Sequence, residues 1–404
     1  MAESRSPLMQ VEAALARLLD GVSALPAEDV PVTQAHGRVL AAPLTARLTQ
    51  PPFDASAMDG YAVRATEARA AGARLQVIGE AAAGRGYSGQ LEAGAAVRIF
   101  TGAPMPRGAD AVVIQEDTAR EGTQVTITQA TFAGENVRPT GNDFRAGAVL
   151  FPAGRRLNAR DLMLAASSGH GAVSVVHRPK VAILATGDEL VPPGATPGLD
   201  QIVSSIPTCL SGMVASAGGE ARLLGIARDT LADLDAKIAT ADDADILVTI
   251  GGASVGDHDL VQQALTARGM ALAFWRIAMR PGKPLMHGKL GGQHVLGLPG
   301  NPVSATLCAQ IFLLPLIRAL QGAPAILPPA MGILAEPLEA NGPRQHYMRG
   351  RIVHAGPPAQ VVALPRQDSS LVGVLAEADC LIVVPPHAPA LPAGAEVALL
   401  GLEG

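Results

Sequence analysis

The sequence predicts a multidomain α/β protein built around a central three-layer α/β domain with a mostly parallel sheet. An inserted β-rich domain, a mixed helical and linker region and a C-terminal small β-barrel-like domain accompany it. The chain has 404 residues, and about 150 residues per domain gives about three hydrophobic cores. From Pro179 onward, apolar β-rich runs alternate with helical patterns, which is typical of a parallel sheet covered by helices. Short strands broken by Gly, Pro and Asp precede and follow this region, and they predict the two β-rich domains.

The composition excludes several classes of function. A net charge of -5 and an aromatic content of 3% argue against a general polyanion binder and against stacking on single-stranded nucleic acid. The cysteines Cys209, Cys308 and Cys380 are widely spaced and form no disulfide or metal pattern. The N-terminus lacks the apolar segment of a signal peptide, and we expect that no apolar run approaches the ~18–20 residues of a membrane helix. We therefore expect a cytoplasmic protein that binds neither nucleic acid nor membrane.

The predicted regions follow one another with changes in pattern. Residues 1–45 and 141–177 form the helical and linker region, with a helix starting at Ser6-Pro7 and another capped by Asn158. Residues 46–140 form the inserted β-rich domain, and residues 178–327 form the central α/β domain. Residues 328–404 alternate short strands with turns, which predicts the small β-barrel-like domain.

Residues 245–305 contain the strongest functional signal. Three strand-like runs in this stretch end in polar loops, namely Gly251-Gly252, the turn Pro281-Gly282-Lys283-Pro284, and Gly300-Asn301-Pro302. Ligands of open α/β sheets bind at the carboxyl ends of the strands, and glycine lets backbone amides approach an anion. The stretch therefore predicts a site for an anionic ligand.

Carboxylates and cations recur at these strand ends. Asp188, Glu189, Asp229, Asp257 and Asp259 are hard oxygen ligands suited to Mg²⁺, which is normally bound by one or two carboxylates plus substrate phosphates. Asp188 could equally cap the helix expected after it. Four cations are candidates for holding an oxyanion or phosphate: Arg276, Arg280, Lys283 and Arg349.

Motifs along almost the whole chain resemble those of one family. They include SAMDGYAVRA around Asp59, TGAPMPRGADAVVIQEDT from Thr101, and RPTGNDFRAG from Arg138. Further along they include TGDEL, GGASVGDHD, RPGKP, GLPGNPVSA and LAEADCLIVVP. In this order they resemble the molybdopterin molybdenumtransferases, which comprise the bacterial MoeA proteins and the E domain of gephyrin.

The resemblance implies Mg²⁺-dependent insertion of molybdate into adenylylated molybdopterin with release of AMP, a step of molybdenum cofactor biosynthesis. It implies a homodimer with the active site in a cleft between subunits, and a molybdopterin-binding role for residues 178–327. The molybdopterin adenylyltransferase and molybdoenzyme maturation proteins are the expected protein partners. The implied catalytic residues are Asp59, Thr101, Glu189, Asp229 and Asp259.

The resemblance also implies the binding residues. Glu189, Asp229 and Asp259 would hold Mg²⁺ and the adenylate phosphate. The residues expected to bind substrate are Gly251, Gly252, Ser254, Arg276, Arg280, Lys283, Asn301, Arg349 and Ser370. Relatives often carry Lys where Arg276 and Arg280 stand, which keeps the charge but changes the hydrogen-bond geometry.

One segment departs from the family pattern. Where the family has a polar Asp/Ser-Asn stretch, this chain has Ser204-Ser205-Ile206-Pro207, so Ile206 replaces an amide that could donate and accept hydrogen bonds. Either ligand binding is altered there, or Ser204 and Ser205 compensate, or Pro207 is the first residue of the following helix.

Three alternatives stay open at the level of sequence. A non-catalytic relative would bind molybdopterin or partner proteins without inserting metal. A molybdopterin adenylyltransferase would act one step earlier and would need ATP. A tungstate-preferring enzyme would share the same motifs, because tungstate and molybdate carry the same charge at nearly the same size.

Overall fold

The computed structural model describes residues 8–252 and 260–402. The chain forms two compact units. The central unit comprises Met1–Glu28, Gly37–Ala41 and Val175–Gly404, and the β-rich unit comprises Asp29–His36 and Ala42–Ser174. The four predicted regions, with boundaries at 45/46, 140/141, 177/178 and 327/328, stay a prediction.

The helices are α1 (Val11–Leu19), α2 (Ala159–Ser167), α3 (Ile206–Ser216), α4 (Leu231–Ala239), α5 (Leu260–Ala267), α6 (Pro302–Cys308), α7 (Leu314–Leu320) and α8 (Val372–Ala376). The strands of the first half are β1 (Ala27–Pro31), β2 (Leu44–Thr45), β3 (Ala55–Ser56), β4 (Gly60–Val63), β5 (Arg74–Ala81), β6 (Ala95–Ile99), β7 (Ala111–Ile114), β8 (Thr118–Glu121), β9 (Gln124–Ile127), β10 (Val137–Arg138), β11 (Val149–Phe151) and β12 (Ala172–Val176). Those of the second half are β13 (Lys180–Thr186), β14 (Leu190–Val191), β15 (Ile202–Val203), β16 (Glu220–Ala227), β17 (Ile246–Ile250), β18 (Ala271–Trp275), β19 (Met279–Arg280), β20 (Met286–Leu290), β21 (Gln293–Leu298), β22 (Ala330–Leu334), β23 (Gln345–His354), β24 (Ala359–Ala363), β25 (Cys380–Val384) and β26 (Glu396–Gly401).

The central sheet runs in the order β16-β13-β17-β21-β20-β18. Strands β16, β13, β17 and β21 are parallel, while β20 is antiparallel to both β21 and β18. Every residue of β17 is buried, as expected of a parallel strand covered on both faces. One face packs against α1, α3, α6 and α7, and the other packs against α4 and α5. This is the predicted three-layer, mostly parallel arrangement.

The longest apolar stretch is Pro302–Leu320, with 19 residues and a mean hydropathy of 1.8. The expectation that no apolar run approaches membrane-spanning length is therefore wrong. Because 89% of its most apolar window is buried inside the protein, it is a core helix. Residues Ala309–Leu313 form a π-helical turn within it, since Pro315 has no N–H to offer the Ile311 carbonyl.

The first helix starts later than predicted. Gln10 is its N-cap and α1 begins at Val11, without a side-chain cap, whereas the sequence suggested Ser6-Pro7, which lie outside the described residues. The chain is extended just before α1, because the Met9 carbonyl accepts the Ala278 N–H at 2.7 Å and Met9 bridges Ile277. The predicted cap at Asn158 is confirmed, since its side chain accepts the N–H groups of Arg160 and Asp161.

The C-terminal strands close into a small barrel. Strand β23 pairs with β24 and β25, β24 pairs with β22, and β26 joins β22 to β25. Strand β19 adds to the outside of this ring by pairing with β23. Leu334, Val361, Ile382 and Leu399 fill the interior, which confirms the predicted β-barrel-like domain.

The β-rich unit contains a sheet in the order β7-β4-β6-β5-β9-β8. Two antiparallel ribbons, β3 with β10 and β2 with β11, accompany it. Its core includes Tyr61, Val63 and Val113 on one side of the sheet and Ala62, Val97 and Val112 on the other. The central sheet, the C-terminal barrel and this β-rich unit together confirm the predicted fold class.

Candidate active site

A cleft of about 570 Å³ opens at the carboxyl ends of the parallel strands in the central unit. Strands β13, β17 and β21 end side by side, so the residues that follow them reach the same edge of the sheet. The lining residues described by the structure are Thr186, Gly187, Glu189, Asp229, Gly251, Gly252, Leu260, Val261, Pro284, Pro299, Gly300 and Asn301. Five predicted site residues thus meet here: Glu189, Asp229, Gly251, Gly252 and Asn301.

Close backbone contacts shape this cleft. Gly251 has a φ of +90° and lies so near Thr186 that a Cβ would be 2.8 Å from the Thr186 carbonyl oxygen, which only glycine tolerates without strain. Its N–H donates to the Leu298 carbonyl at 3.1 Å. That amide is therefore engaged within the sheet, and Gly252, with a φ of +63°, follows it into the cleft.

Two carboxylates face the cleft. Glu189 folds back over Gly187, where a Cβ would overlap its carboxylate. Within the described part of the chain, neither Glu189 nor Asp229 has an ion pair or a side-chain hydrogen bond. Asp188 caps no helix, because strand β14 follows it. Its carboxylate instead accepts the Asp229 N–H at 3.3 Å and holds the Asp229 backbone in place.

Two predicted site residues, Ser254 and Asp259, lie outside the described residues, as do Asp257 and His258. Among the described residues, no three His, Cys, Asp or Glu side chains converge as a metal cluster. The donor set that the structure describes is therefore Glu189 with Asp229.

The segment that departs from the family pattern lines a smaller pocket of about 120 Å³ beside the cleft. Helix α3 begins at Ile206 and Pro207 is its second residue, so the helix starts one residue earlier than the alternative with Pro207 as its first residue. Ile206 is only 9% exposed and belongs to the hydrophobic core. Ser204 and Ser205 line the pocket next to Glu189.

The predicted cations follow β18. Arg276 has a φ of +68°, a left-handed conformation uncommon for a non-glycine residue, and its guanidinium lies 4.7 Å from the centre of the Trp275 ring. Arg280 is exposed on β19, and Lys283 is exposed directly before Pro284 of the cleft wall. Gly282 between them packs on helix α6, where a Cβ would be 2.6 Å from Cys308 Sγ.

Arg349 is a candidate anion ligand, yet it is only 1% exposed. The sequence does not indicate this burial. The Arg349 Nε donates to Gln367 Oε1 at 3.2 Å and its Nη1 to the Asp368 carbonyl at 2.8 Å. Its Nη2 is buried without a partner among the described residues, and burial lowers the pKa of the guanidinium. Ser370 donates its hydroxyl to Asp368 Oδ1 at 2.6 Å, so the structure joins Arg349 and Ser370 through Asp368.

This cluster adjoins the start of α6. The Val303 N–H donates to the Ser369 carbonyl at 3.1 Å, and Val303 follows Asn301 of the cleft by two residues. The described structure thus brings the barrel loop that carries Asp368 and Ser370 next to the strand-end cleft of the same unit. The buried guanidinium of Arg349, on strand β23, bonds to this loop.

In the β-rich unit, Asp59 and Thr101 form a hydrogen-bonded pair. Asp59 Oδ1 accepts the Thr101 N–H at 2.8 Å and the Thr101 hydroxyl at 2.7 Å. These two bonds, the backbone bond first, hold the pKa of Asp59 below its ordinary value. The pair predicted to be catalytic is therefore already assembled within this unit.

Sequence reasoning did not identify Arg98, which contacts the backbone beside Asp59. The available signal is a lone Arg in the apolar run AAVRIF, which ends in an aromatic residue. It also missed Gln367, whose side chain bonds Arg349 from both its carbonyl oxygen and its amide. No spacing rule links Gln367 to Arg349, because they meet only when β23 and β24 pair.

Comparison with known proteins defines the class first. Residues 9–169 match the MoeA N-terminal region (domain I and II), residues 182–319 a probable molybdopterin binding domain, and residues 331–402 the MoeA C-terminal region (domain IV). A solved MoeA protein from Pyrococcus horikosii superposes with a TM-score of 0.84 at 30% identity, covering 98% of this chain and 100% of that one. The fold is therefore that of a MoeA-type protein of molybdenum cofactor biosynthesis.

Curated relatives narrow the class. A molybdopterin molybdenumtransferase from Nostoc sp. is 38% identical over 335 residues, covering 80% of this chain and 77% of the relative. One from Synechococcus elongatus is 34% identical over 414 residues, covering 98% and 100%. The chain belongs to the molybdopterin molybdenumtransferase family and is a transferase.

Proposed function

We propose that this transferase inserts molybdate into adenylylated molybdopterin and releases AMP in a Mg²⁺-dependent reaction. The observation that carries the proposal is the strand-end cleft, where Glu189 and Asp229 face the same space as the glycine loop after β17. An adenylylated substrate brings a phosphate that needs a cation and backbone donors. We place this step in the cytoplasm.

The donor chemistry of the cleft suits Mg²⁺. Glu189 and Asp229 supply hard carboxylate oxygens, and no described cation neutralises them. Because Mg²⁺ is usually held by one or two carboxylates, water and substrate phosphates, these two residues would suffice, with Asp259 as the third ligand that the family resemblance implies. Bound there, the ion would neutralise charge on the adenylate phosphate.

The chain's own residues supply the rest of the binding site. Gly251, Gly252 and Asn301 would surround the phosphate or pterin, with the close Gly251–Thr186 contact fixing the loop, and Ser254 is a further ligand that the family resemblance implies. The second anion, molybdate or the pterin phosphate, is held by the cations and hydroxyl of the turn and barrel: Arg276, Arg280, Lys283, Arg349 and Ser370. Two buried donors in this set, Arg349 Nη2 and Arg276 Nε, have no hydrogen-bond partner among the described residues, and an oxyanion would satisfy them.

Asp59 and Thr101 act in the same reaction, in a homodimer whose subunits share the site. The carboxylate of Asp59 has one oxygen bonded to Thr101. Its other oxygen can accept a hydrogen bond from substrate. The adenylyltransferase and the molybdoenzyme maturation proteins would supply the substrate and receive the product.

Single-turnover release of AMP from adenylylated molybdopterin tests the proposal. With molybdate and Mg²⁺ the native protein should release AMP, and Glu189→Gln should lower the rate at least about 100-fold because a carboxylate ligand is lost while the shape is kept. Glu377→Gln, which removes an exposed carboxylate paired with Arg351, should leave the rate unchanged.

Three results would contradict specific parts of the proposal. AMP release without Mg²⁺ would exclude the metal, and equal rates in Glu189→Gln would exclude its carboxylate. No AMP release by the native protein would exclude the reaction itself, and it would favour a non-catalytic relative or, if the protein forms adenylylated molybdopterin and pyrophosphate from ATP and molybdopterin, the adenylyltransferase. Parallel reactions with tungstate measure the preference between the two oxyanions.

A further inference from the structure

Arg98 on strand β6 contacts three separate elements of the β-rich unit. Its guanidinium lies 5.1 Å from the ring centre of Tyr61 on β4 and 4.9 Å from that of Phe100, which follows β6. Nη1 donates to the Gly60 carbonyl at 3.1 Å, and Nη2 donates to Gln115 Oε1 at 2.7 Å. One side chain thus combines two aromatic contacts with two directed hydrogen bonds, as only Arg can.

These contacts surround the backbone of Asp59. Gly60, whose carbonyl Arg98 holds, is the next residue in the chain, and Gln115 donates its backbone N–H to the Asp59 carbonyl at 3.0 Å. Gly60 lies so close to strand β7 that a Cβ there would overlap the Val113 carbonyl oxygen. Arg98 therefore bonds both to the residue after Asp59 and to the residue that holds the Asp59 carbonyl.

We propose that Arg98 is a positioning residue for Asp59, fixing the backbone around it so that the carboxylate oxygen not bonded to Thr101 points to substrate. This inference rests on the proposed function in one respect, namely that Asp59 takes part in the reaction. Arg98 is also the charged group whose field acts on the Asp59 carboxylate, and it lowers the pKa of Asp59 after the two Thr101 bonds.

The contacts of Arg98 predict that removing its charge and removing its hydrogen-bond geometry have different effects. Arg98→Gln removes the charge and one of the two directed donors. Arg98→Lys keeps the charge, but a single ammonium cannot bridge the Gly60 carbonyl and Gln115 in one fixed plane. A merely structural role would change stability in both variants and leave the ionisation of Asp59 unchanged.

Two measurements test the assignment in the full chain. The first is an NMR titration of the ¹³C-labelled Asp carboxyl groups, assigned with Asp59→Asn, and the second is the pH profile of AMP release. Arg98→Gln should raise the titration midpoint of Asp59, because the positive charge that favours the carboxylate is lost. It should also lower kcat/KM about tenfold.

Arg98→Lys should keep the native midpoint while kcat/KM stays several-fold low, and it serves as the test if Arg98→Gln does not fold. Arg120→Gln is the matched control, because Arg120 bonds only the Gly122 carbonyl in the described structure. It should change neither measurement.

A native midpoint together with a native rate in Arg98→Gln would overturn the proposal, and so would full recovery of the rate by Arg98→Lys. The proposed function fails separately. If Asp59→Asn releases AMP at the native rate while Arg98→Gln still shifts the Asp59 midpoint, Arg98 positions Asp59 but Asp59 is not catalytic.

Discussion

The strand-end cleft and the Asp59–Thr101 pair hold their functional groups in different ways. In the cleft, glycine backbone at close range sets the shape, and Glu189 and Asp229 have no side-chain partner among the described residues. In the β-rich unit, two hydrogen bonds hold a side chain, since the Thr101 hydroxyl and the Thr101 backbone N–H fix one Asp59 oxygen. Carboxylates without partners suit a metal that must bind and leave, whereas a fixed carboxylate suits a defined contact with substrate.

Adding one methyl group at Gly251 should disrupt the strand-end cleft, whose shape is set by close backbone contacts. We expect this change to have the largest effect. Gly251→Ala places a Cβ 2.8 Å from the Thr186 carbonyl oxygen at a φ of +90°. We expect AMP release to fall below detection and the free energy of unfolding to drop by about 2–4 kcal/mol. A quenched assay of AMP release measures the first effect, and urea unfolding measures the second.

Gly291→Ala separates strain from overlap. Gly291 has a φ of +59° with nothing within 4 Å of a Cβ, so the substitution carries the strain alone, about 1 kcal/mol. Activity should stay native. If both alanine variants behave alike, the close approach to Thr186 is not what shapes the cleft.

Removing one hydroxyl should weaken the side-chain-defined pair. Thr101→Val deletes the O–H that donates to Asp59 at 2.7 Å and keeps the backbone bond at 2.8 Å. Because these bonds lower the pKa of Asp59, their partial loss raises it, and the acid limb of the pH–rate profile should move to higher pH. We expect kcat/KM to fall about tenfold.

Thr101→Ser retains the hydroxyl and should retain both the rate and the position of the acid limb. An acid limb that stays in place in Thr101→Val would show that ionisation of Asp59 does not limit the reaction. The pH–rate profile of AMP release measures both variants.

Changing Ile206, which lines the smaller pocket beside the cleft, should have the smallest effect on catalysis. Ile206→Asn restores the residue usual in the family at a position that is 9% exposed and part of the core. We expect the free energy of unfolding to fall by about 1–3 kcal/mol and AMP release to change less than about threefold. A KM that improves markedly in Ile206→Asn, but not in Ile206→Val, would show instead that the amide contacts substrate.

The sequence predicted the fold where local pattern and tertiary packing agree. Strands β17 and β21 are apolar runs that end at Gly251 and Pro299, so their type, length and polar ends could all be inferred. The start of α1 could not be inferred, because a backbone bridge to Ile277 holds Met9 in extended form. Likewise, the burial of Pro302–Leu320 depends on packing that its hydropathy does not encode.

The candidate site was predictable only in part for the same reason. Glu189, Asp229 and Gly251 follow strands of one sheet, so topology alone brings them together. Arg98 and Gln367 act through partners on strands distant in sequence, and no spacing reveals such pairs. The burial of Arg349 is a further example, since it requires both the closed barrel and the loop that carries Asp368.

The C-terminal barrel has a consequence for modularity. Tyr347 and Leu381, on barrel strands, belong to the same hydrophobic core as Val248 and Leu296 of the central sheet, and the Val303 N–H finds its acceptor at Ser369. Ending the chain before residue 328 would expose that core and leave this N–H without its partner. The central α/β region can be delimited in the sequence, but we expect it not to survive as an excised domain or a fusion cassette.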